Sequence, residues 1–339
     1  MKTLKNSSRI GPQSVVTQKY KRLIPSKPLI VIVGPTAVGK TRVAVQFCRK
    51  FPVPTEIISA DSMQVYKILD IGTDKPGAST RKEIPHHMID FVAPGEAYSV
   101  GRYQKEAQEA ILSVYAKEKL PLVVGGTGLY INALIYDFSM GKLPQRTQYR
   151  EQLEERVQNE GLGFLYEELK KYDPSAARKI HPNDKRRIIR GLEVYYYTGE
   201  PISKQQTKRY QSPYNLCTFG LYMEREKLYS LIEKRIDRML AEGLLNEVQF
   251  LKDNGYKHTT AMQGLGYKEL NAYLEGEMGY QEAVKKFKKN TRRFAKKQLS
   301  WFRRDPNIEW IDLTNLSANE AANKIFHCVM KEYFNFNRI

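Results

Sequence analysis

Apolar residues in this chain fall into short continuous runs and helical stripes, and the two kinds alternate. Leu29-Ile30-Val31-Ile32-Val33 is an unbroken apolar run. A strand covered on both faces reads this way, so the run predicts buried parallel β-structure. Val43, Ala44 and Phe47 then recur at helical spacing. Glu56-Ile57-Ile58-Ser59 reads as a second strand, 99–118 as a helix, and Leu120 to Val124 as a third strand, with a helix from about Leu129. Strand, turn and helix in repetition predict a parallel sheet flanked by helices, with functional loops at the carboxyl ends of the strands.

From about 143 to 212 the pattern changes. Strands vanish, and helical stripes run near 147–159, 161–171 and 184–198. A strand returns at Leu216 to Leu221, helices follow at 225–241, 243–253, 266–274 and 279–303, and Asn307 to Asp312 with 317–334 closes as strand and helix. The expected division is a flexible basic extension over 1–27, a core made of 28–142 and 213–334, and a helical insertion over 143–212.

The loops carry the candidate chemistry. The first strand runs into Gly34-Pro35-Thr36-Ala37-Val38-Gly39-Lys40-Thr41, which fits G-x-x-x-x-G-K-[ST] between a strand and a helix. Backbone N–H groups of such a loop wrap around phosphate oxygens, the lysine adds a point charge, and the Thr41 hydroxyl is offered to Mg²⁺. The expected fold class is therefore α/β, with a P-loop NTPase-like parallel sheet and an all-helical insertion domain. The second strand ends in Ala60-Asp61-Ser62-Met63-Gln64 and the third in Gly125-Gly126-Thr127-Gly128. All three loops should converge on one sheet edge. A P-loop NTPase pairs its lysine and threonine with an acid at a strand end. Here the third strand ends in Gly-Gly-Thr, and Asp61 is the carboxylate at a matching end. Asp61 either manages the metal or serves as a general base. Thr127 either donates to a departing oxygen or caps its helix.

Charge widens the reading. Across 339 residues, 55 Lys and Arg face 37 Asp and Glu, a net charge of +18 that suggests a polyanionic partner. Residues 285–304 carry ten basic side chains and no acidic one, interleaved with Phe287, Phe294 and Trp301 seven residues apart. The aromatic face is expected on the core and the basic face outward, in contact with phosphate or nucleic acid. A second basic cluster, His181 to Arg190, follows a helix-capping Asn183 or Asp184 and puts Arg186 and Arg190 on one face beside Arg187. Two separated basic helices suit a large folded nucleic acid better than a mononucleotide. The first 27 residues hold seven basic residues and lack the apolar stretch of a secretory signal. Three scattered cysteines without a C-x-x-C pair argue against a disulfide framework or structural zinc and fit a cytoplasmic protein. His86-His87 reads as an ordinary core or loop pair. No apolar run is long enough for a membrane span.

Taken together, Gly-Pro-Thr-Ala-Val-Gly-Lys-Thr, Ile-Ser-Ala-Asp-Ser-Met-Gln-Val-Tyr, Asp-Ile-Gly-Thr-Asp-Lys-Pro, Val-Gly-Gly-Thr-Gly-Leu-Tyr and His-Pro-Asn-Asp-Lys-Arg-Arg resemble, in order, the motifs of the bacterial tRNA dimethylallyltransferases. The likeness runs from about Leu29 to Trp310 and includes Gly264-Leu265-Gly266-Tyr267 and Ala295-Lys296-Lys297-Gln298 before Trp301. It implies transfer of a dimethylallyl group from its diphosphate to N6 of the adenosine 3′ of a tRNA anticodon, with Mg²⁺ as cofactor. On this resemblance residues 34–41 and Arg225 hold the diphosphate, Lys40 and Thr41 sharing it with Mg²⁺. Asp61 is the base, and Thr127 steadies the leaving oxygen. Asp61, Ser62, Met63, Gln64, Thr127, Arg150, Arg186, Arg187, Ile188, Ile189 and Arg190 match family positions that touch tRNA. One position departs: Leu231 stands where the family usually has a second arginine, and Arg235, one turn on, is common in the family too. The chain is expected to be monomeric. The rival readings are a nucleotide kinase binding ATP, a prenyltransferase acting on free AMP or ATP, and an RNA-binding protein with a vestigial P-loop. The first two leave the two basic clusters unexplained, and the intact Lys40, Thr41, Asp61 and Thr127 weigh against the third.

Overall fold

The computed structural model describes residues 26–136, 148–204 and 211–334. Residues 1–25 of the expected 1–27 extension and the junction near 142 lie outside the described residues. The chain forms two compact units, one of residues up to Ile131 with those from Ser212 onward, the other Asn132–Gln211.

The first unit is built on a sheet of six strands, β1 (Pro28–Val33), β2 (Thr55–Ala60), β3 (His86–His87), β4 (Leu120–Gly125), β5 (Asn215–Tyr222) and β6 (Glu309–Asp312). Their order is β3-β2-β4-β1-β5-β6 and every pairing is parallel. Every residue of β1, β2 and β4 is buried, which is why β1 and β4 read as apolar runs, while β2 also buries Thr55, Glu56 and Ser59. Burying each Val, Ile or Leu contributes about 1.5–3 kcal/mol, so the centre of the sheet is a stiff base for the loops above it. The helices are α1 (Lys40–Lys50), α2 (Ala78–Glu83), α3 (Val100–Ala116) and α4 (Gly128–Ile135), which crosses the unit boundary. After the second unit come α9 (Arg225–Ala241), α10 (Leu244–Asp253), α11 (Tyr267–Leu274), α12 (Tyr280–Phe302) and α13 (Ala318–Phe334). Because β4 lies between β2 and β1, its Gly125–Gly128 turn sits between the P-loop and the Asp61 loop.

Two expectations are corrected. His86-His87 is a two-residue edge strand, too short to leave a periodic signal, and His87 Nε2 lies 2.7 Å from the Glu56 carboxylate. Burial opposes ionisation of Glu56, but Lys119, His87 and Lys117 outweigh it and pull its pKa to about 2. On α12 the buried stripe is Ala283, Phe287, Thr291, Ala295, Gln298 and Phe302, and Phe294 is 40% exposed at its edge. The charge on α12 is also partly offset: Arg292 pairs with Glu233 and Lys288 with Asp237 of α9, and Lys286 with Glu282.

The second unit contains α5 (Gln148–Asn159), α6 (Leu162–Tyr172), α7 (Pro174–Ala177) and α8 (Lys185–Thr198). Leu153, Leu165, Leu169, Ile188, Ile189 and Leu192 form its core. Asp184 caps α8, its carboxylate accepting from the Arg187 N–H at 3.2 Å.

Candidate active site

The P-loop turns sharply into α1. Gly39 takes φ +104°, a conformation that a side chain disfavours, and stands at the start of α1, where the first N–H groups of a helix have no intrahelical partner. Lys40 folds back over the loop, its Nζ donating to the carbonyls of Gly34 at 3.0 Å and Pro35 at 2.8 Å. Burial lowers its pKa to about 8; Asp61 opposes the shift and Arg235 adds to it.

Asp61 is held by its own turn, Oδ1 accepting from the N–H groups of Met63 at 2.9 Å and Gln64 at 3.3 Å. Thr127 reaches across from the next strand: its hydroxyl oxygen accepts from the Ser62 N–H at 3.0 Å and donates to Ser62 Oγ at 3.3 Å. Gln64 accepts from Ser59 Oγ and donates to the Thr73 carbonyl at 3.0 Å, tying in the 70–76 loop. Glu247 of α10 fastens that loop from outside, accepting from the N–H groups of Asp70, Ile71 and Gly72 and from Tyr267 Oη.

Gln298 locks the P-loop to the third loop. Its amide oxygen accepts from Thr36 N–H at 2.8 Å and its nitrogen donates to the Gly126 carbonyl at 2.9 Å. A Cβ on Gly126 would come within 2.3 Å of Gln298 Nε2, so a larger residue there would displace the Gln298 amide from its bonds. From α9, Arg235 Nη1 donates to Thr36 Oγ1 at 2.9 Å while its Nε lies 3.3 Å from Asp74. Arg238 meets the other Asp74 oxygen at 2.7 Å. Burial pushes the Arg235 pKa down, and Asp74 and Asp61 restrain it.

These groups enclose two adjoining cavities. One, of about 580 Å³, is polar and includes Lys40, Thr41, Asp61, Asp74, Arg235 and Gln298 in its wall. The other, of about 320 Å³, is walled largely by Met63, Ile232, Ile236, Met239, Phe287 and Phe294, with Ser62 and Thr127 at one side. Thr36, Ala37, Asp61, Thr73, Arg235 and Phe294 belong to both walls. A cationic chamber and an apolar chamber therefore share a carboxylate. Among the described residues no cluster of three or more His, Cys, Asp or Glu could hold a metal. The Thr41 hydroxyl beside the P-loop is a hard oxygen donor of the kind Mg²⁺ takes together with phosphate oxygens and water, so it fits that ion.

The anticipated residues divide. Thr36, Ala37, Gly39, Lys40 and Thr41 line the polar chamber, while Gly34, Pro35 and Val38 are buried beneath. Gln64 lines the polar chamber, Ser62, Met63 and Thr127 the apolar one, and Asp61 both. Arg225 does not join them; it stands exposed at the start of α9, its guanidinium 5.2 Å from the Tyr229 ring centroid. In the second unit, Arg186 and Arg187 are exposed, and Arg190 and Arg150 lie 3.0 Å and 3.5 Å from the fully buried Glu193 carboxylate. The side chains of Ile188 and Ile189 are core, 0% and 1% exposed, because the apolar stripe of α8 must face α5 and α6. Asp74, Arg235 and Gln298 were missed as site residues. A lone glutamine inside an apolar helical stripe was the available signal, since a buried amide needs partners.

Comparison with known proteins agrees with this geometry. The IPP transferase family model matches residues 64–305, and an isopentenyl transferase model matches 27–88. The chain is 57% identical to a tRNA dimethylallyltransferase of Natranaerobius thermophilus, over 92% of this chain and 95% of that one. It is 46% identical to that of Carboxydothermus hydrogenoformans, over 91% and 97%. Among solved structures, the tRNA isopentenylpyrophosphate transferase of Bacillus halodurans superposes with a TM-score of 0.70 at 40% identity, covering 92% of this chain and 99% of that one. A eukaryotic dimethylallyltransferase acting on tRNA superposes with a TM-score of 0.77 at 30% identity, covering 93% and 81%. With a parallel sheet, a phosphate loop and relatives that match it nearly end to end, this chain belongs to the IPP transferase family, the tRNA dimethylallyltransferases.

Proposed function

We propose that this protein transfers the dimethylallyl group of dimethylallyl diphosphate to N6 of the adenosine 3′ of the anticodon in tRNA, releasing diphosphate. The observation that carries the reading is Asp61 in the shared wall of a cationic and an apolar chamber. The cationic chamber suits a diphosphate; the apolar one suits a five-carbon chain and the flat base that attacks it. The N6 lone pair forms a bond to the allylic C1 as the C1–O bond to diphosphate breaks, and N6 gives up a proton to Asp61. The backbone N–H groups of the P-loop, Lys40 and Arg235 take up the charge that develops on the leaving oxygens. Thr127 is suited to donate to the bridging oxygen by turning its hydroxyl from Ser62. Mg²⁺, held by the Thr41 hydroxyl and phosphate oxygens, would supply further neutralisation of the diphosphate. The base must leave its stack to reach a recessed carboxylate. The exposed arginines 186 and 187 suit the RNA backbone, and no helix among the described residues is long and apolar enough to cross a membrane.

The test uses purified protein, Mg²⁺ and radiolabelled dimethylallyl diphosphate, with unmodified tRNA carrying adenosine at the expected position and free AMP in parallel. Label in tRNA alone is expected. Label in AMP alone would move the protein to the adenylate prenyltransferases, and binding of tRNA without label in either would favour an RNA-binding protein.

A further inference from the structure

On α9, Leu231, Lys234, Arg235 and Arg238 share one helical face, spaced i, i+3, i+4 and i+7, and all four line the polar chamber. The three cations on this face are not equivalent. Arg235 and Arg238 are both tied to the same carboxylate, Asp74, and Arg235 is further bonded to Thr36. Arg238 also lies 3.5 Å from Glu242. Lys234 makes no hydrogen bond or ion pair among the described residues. Lys40, on the loop across the chamber, donates to the carbonyls of Gly34 and Pro35.

We infer that Lys234 is a diphosphate-binding residue of this chain, its ammonium gripping the outer phosphate of the prenyl diphosphate. The assignment rests on the prenyl-diphosphate reading above. An unpaired ammonium in a chamber wall raises the local potential, whereas Asp74 already neutralises part of the charge of its two arginine partners. A long flexible stem lets Lys234 turn its whole ammonium toward a phosphate, whereas Arg235 and Arg238 are held in place by Asp74. Leu231, one turn earlier on the same face, carries no charge, so Lys234 is the cation of this face that no carboxylate holds. The inner phosphate is left to the P-loop, Lys40 and Arg235, where charge develops as the C–O bond breaks. Lys234 should therefore act mainly on substrate binding and little on the chemical step.

The test compares the full-length wild type with K234A, K234R and the double variant L231R/K234A. It measures KM for dimethylallyl diphosphate, kcat, KM for tRNA, and calorimetric affinity for inorganic diphosphate with Mg²⁺. K234A is expected to raise KM for the prenyl diphosphate and Kd for inorganic diphosphate about tenfold, the size of one charge-assisted hydrogen bond at an open wall. Its kcat and its KM for tRNA should stay within about twofold. K234R should retain most of the affinity, and L231R/K234A should recover part of it by returning a cation to the same face. Equal diphosphate affinity in K234A and wild type would overturn the assignment and leave the function standing. A rise in KM for tRNA alone would overturn it too and give Lys234 to the RNA backbone. A wild type that binds no diphosphate would remove the underlying reading as well. An exposed lysine can be exchanged with little effect on folding, and a thermal melt of each variant verifies that.

Discussion

Helices α8 and α9 are both amphipathic, both rich in arginine and both furnished with carboxylates, yet they use charge in opposite ways. On α8 the apolar stripe closes the core of the second unit and Arg186 and Arg187 point to water; the Arg187 side chain is 64% exposed. On α9 Lys234, Arg235 and Arg238 line a walled chamber, and the Arg235 side chain is 22% exposed. Charges in water are screened within about 10 Å at ordinary ionic strength, so they act collectively on an extended polyanion. Charges beside low-dielectric walls act strongly at short range on one small anion. The same residue type therefore suits RNA phosphate in one unit and diphosphate in the other. The deciding quantity is exposure, since both helices carry similar side chains.

The sharpest way to break this comparison is at the chamber. Asp61→Ala should reduce the single-turnover rate by about 10²–10⁴-fold, the range expected for a general base. Affinity for tRNA, measured by filter binding, should change only a few-fold, and equal losses in both would remove its role as base. Next in size, Lys40→Ala should raise KM for dimethylallyl diphosphate on the order of tenfold to a hundredfold, as loss of a buried charge-assisted bond does. An unaltered KM would contradict the P-loop assignment. Because the folded Lys40 titrates near 8, below the ordinary 10.5, its charged form is present at neutral pH and lost as pH rises through about 8. The kcat/KM for the prenyl diphosphate should fall on that alkaline limb, and Lys40→Arg should shift the limb upward.

Smaller effects test the supports. Gln298→Ala would strip Thr36 N–H and the Gly126 carbonyl of their shared partner. A loss of about 1–3 kcal/mol in unfolding free energy is expected by denaturant titration, the cost of unpaired buried groups. No change in stability would mean that water fills the gap. The smallest effect at low salt belongs to α8. Arg186→Ala with Arg187→Ala should flatten the slope of log affinity for tRNA against log salt by about one to two, close to one for each phosphate that an arginine no longer neutralises. An unchanged slope would put the RNA backbone elsewhere and dissolve the contrast between the helices.

Much of the fold was legible. The apolar runs at 29–33 and 120–124 announced buried parallel strands, because strands covered on both faces cannot alternate. The helical stripes of α9, α10, α12 and α13 fell within a residue or two of their observed ends. The strand β3 was not legible, since two residues have no period. The α12 face was misjudged at Phe294: seven-residue spacing marks a shared side of a helix but not which edge of that side meets the core.

The site was legible where chemistry depends on contiguous residues. The P-loop and the Asp61–Gln64 turn each complete their geometry within a few residues, so the local sequence is enough. Arg225 and Arg235 show the opposite case. Both lie on α9 and both are arginines, but ten residues separate them along the axis, and only the packing of α9 against the loops decides which one enters the chamber. Ile188 and Ile189 likewise match positions associated with tRNA while their side chains fill a core.

The sequence by itself determined the parallel sheet, the phosphate loop, the helical second unit and the excess of positive charge, because each depends on spacing along the chain. Only the tertiary structure decided which cations are paired, which are enclosed and which meet water. Asp74, Arg235, Gln298 and Gly126 come together from four distant segments. The strength of a charge depends on the dielectric and the partners around it, and those exist only once the chain has folded.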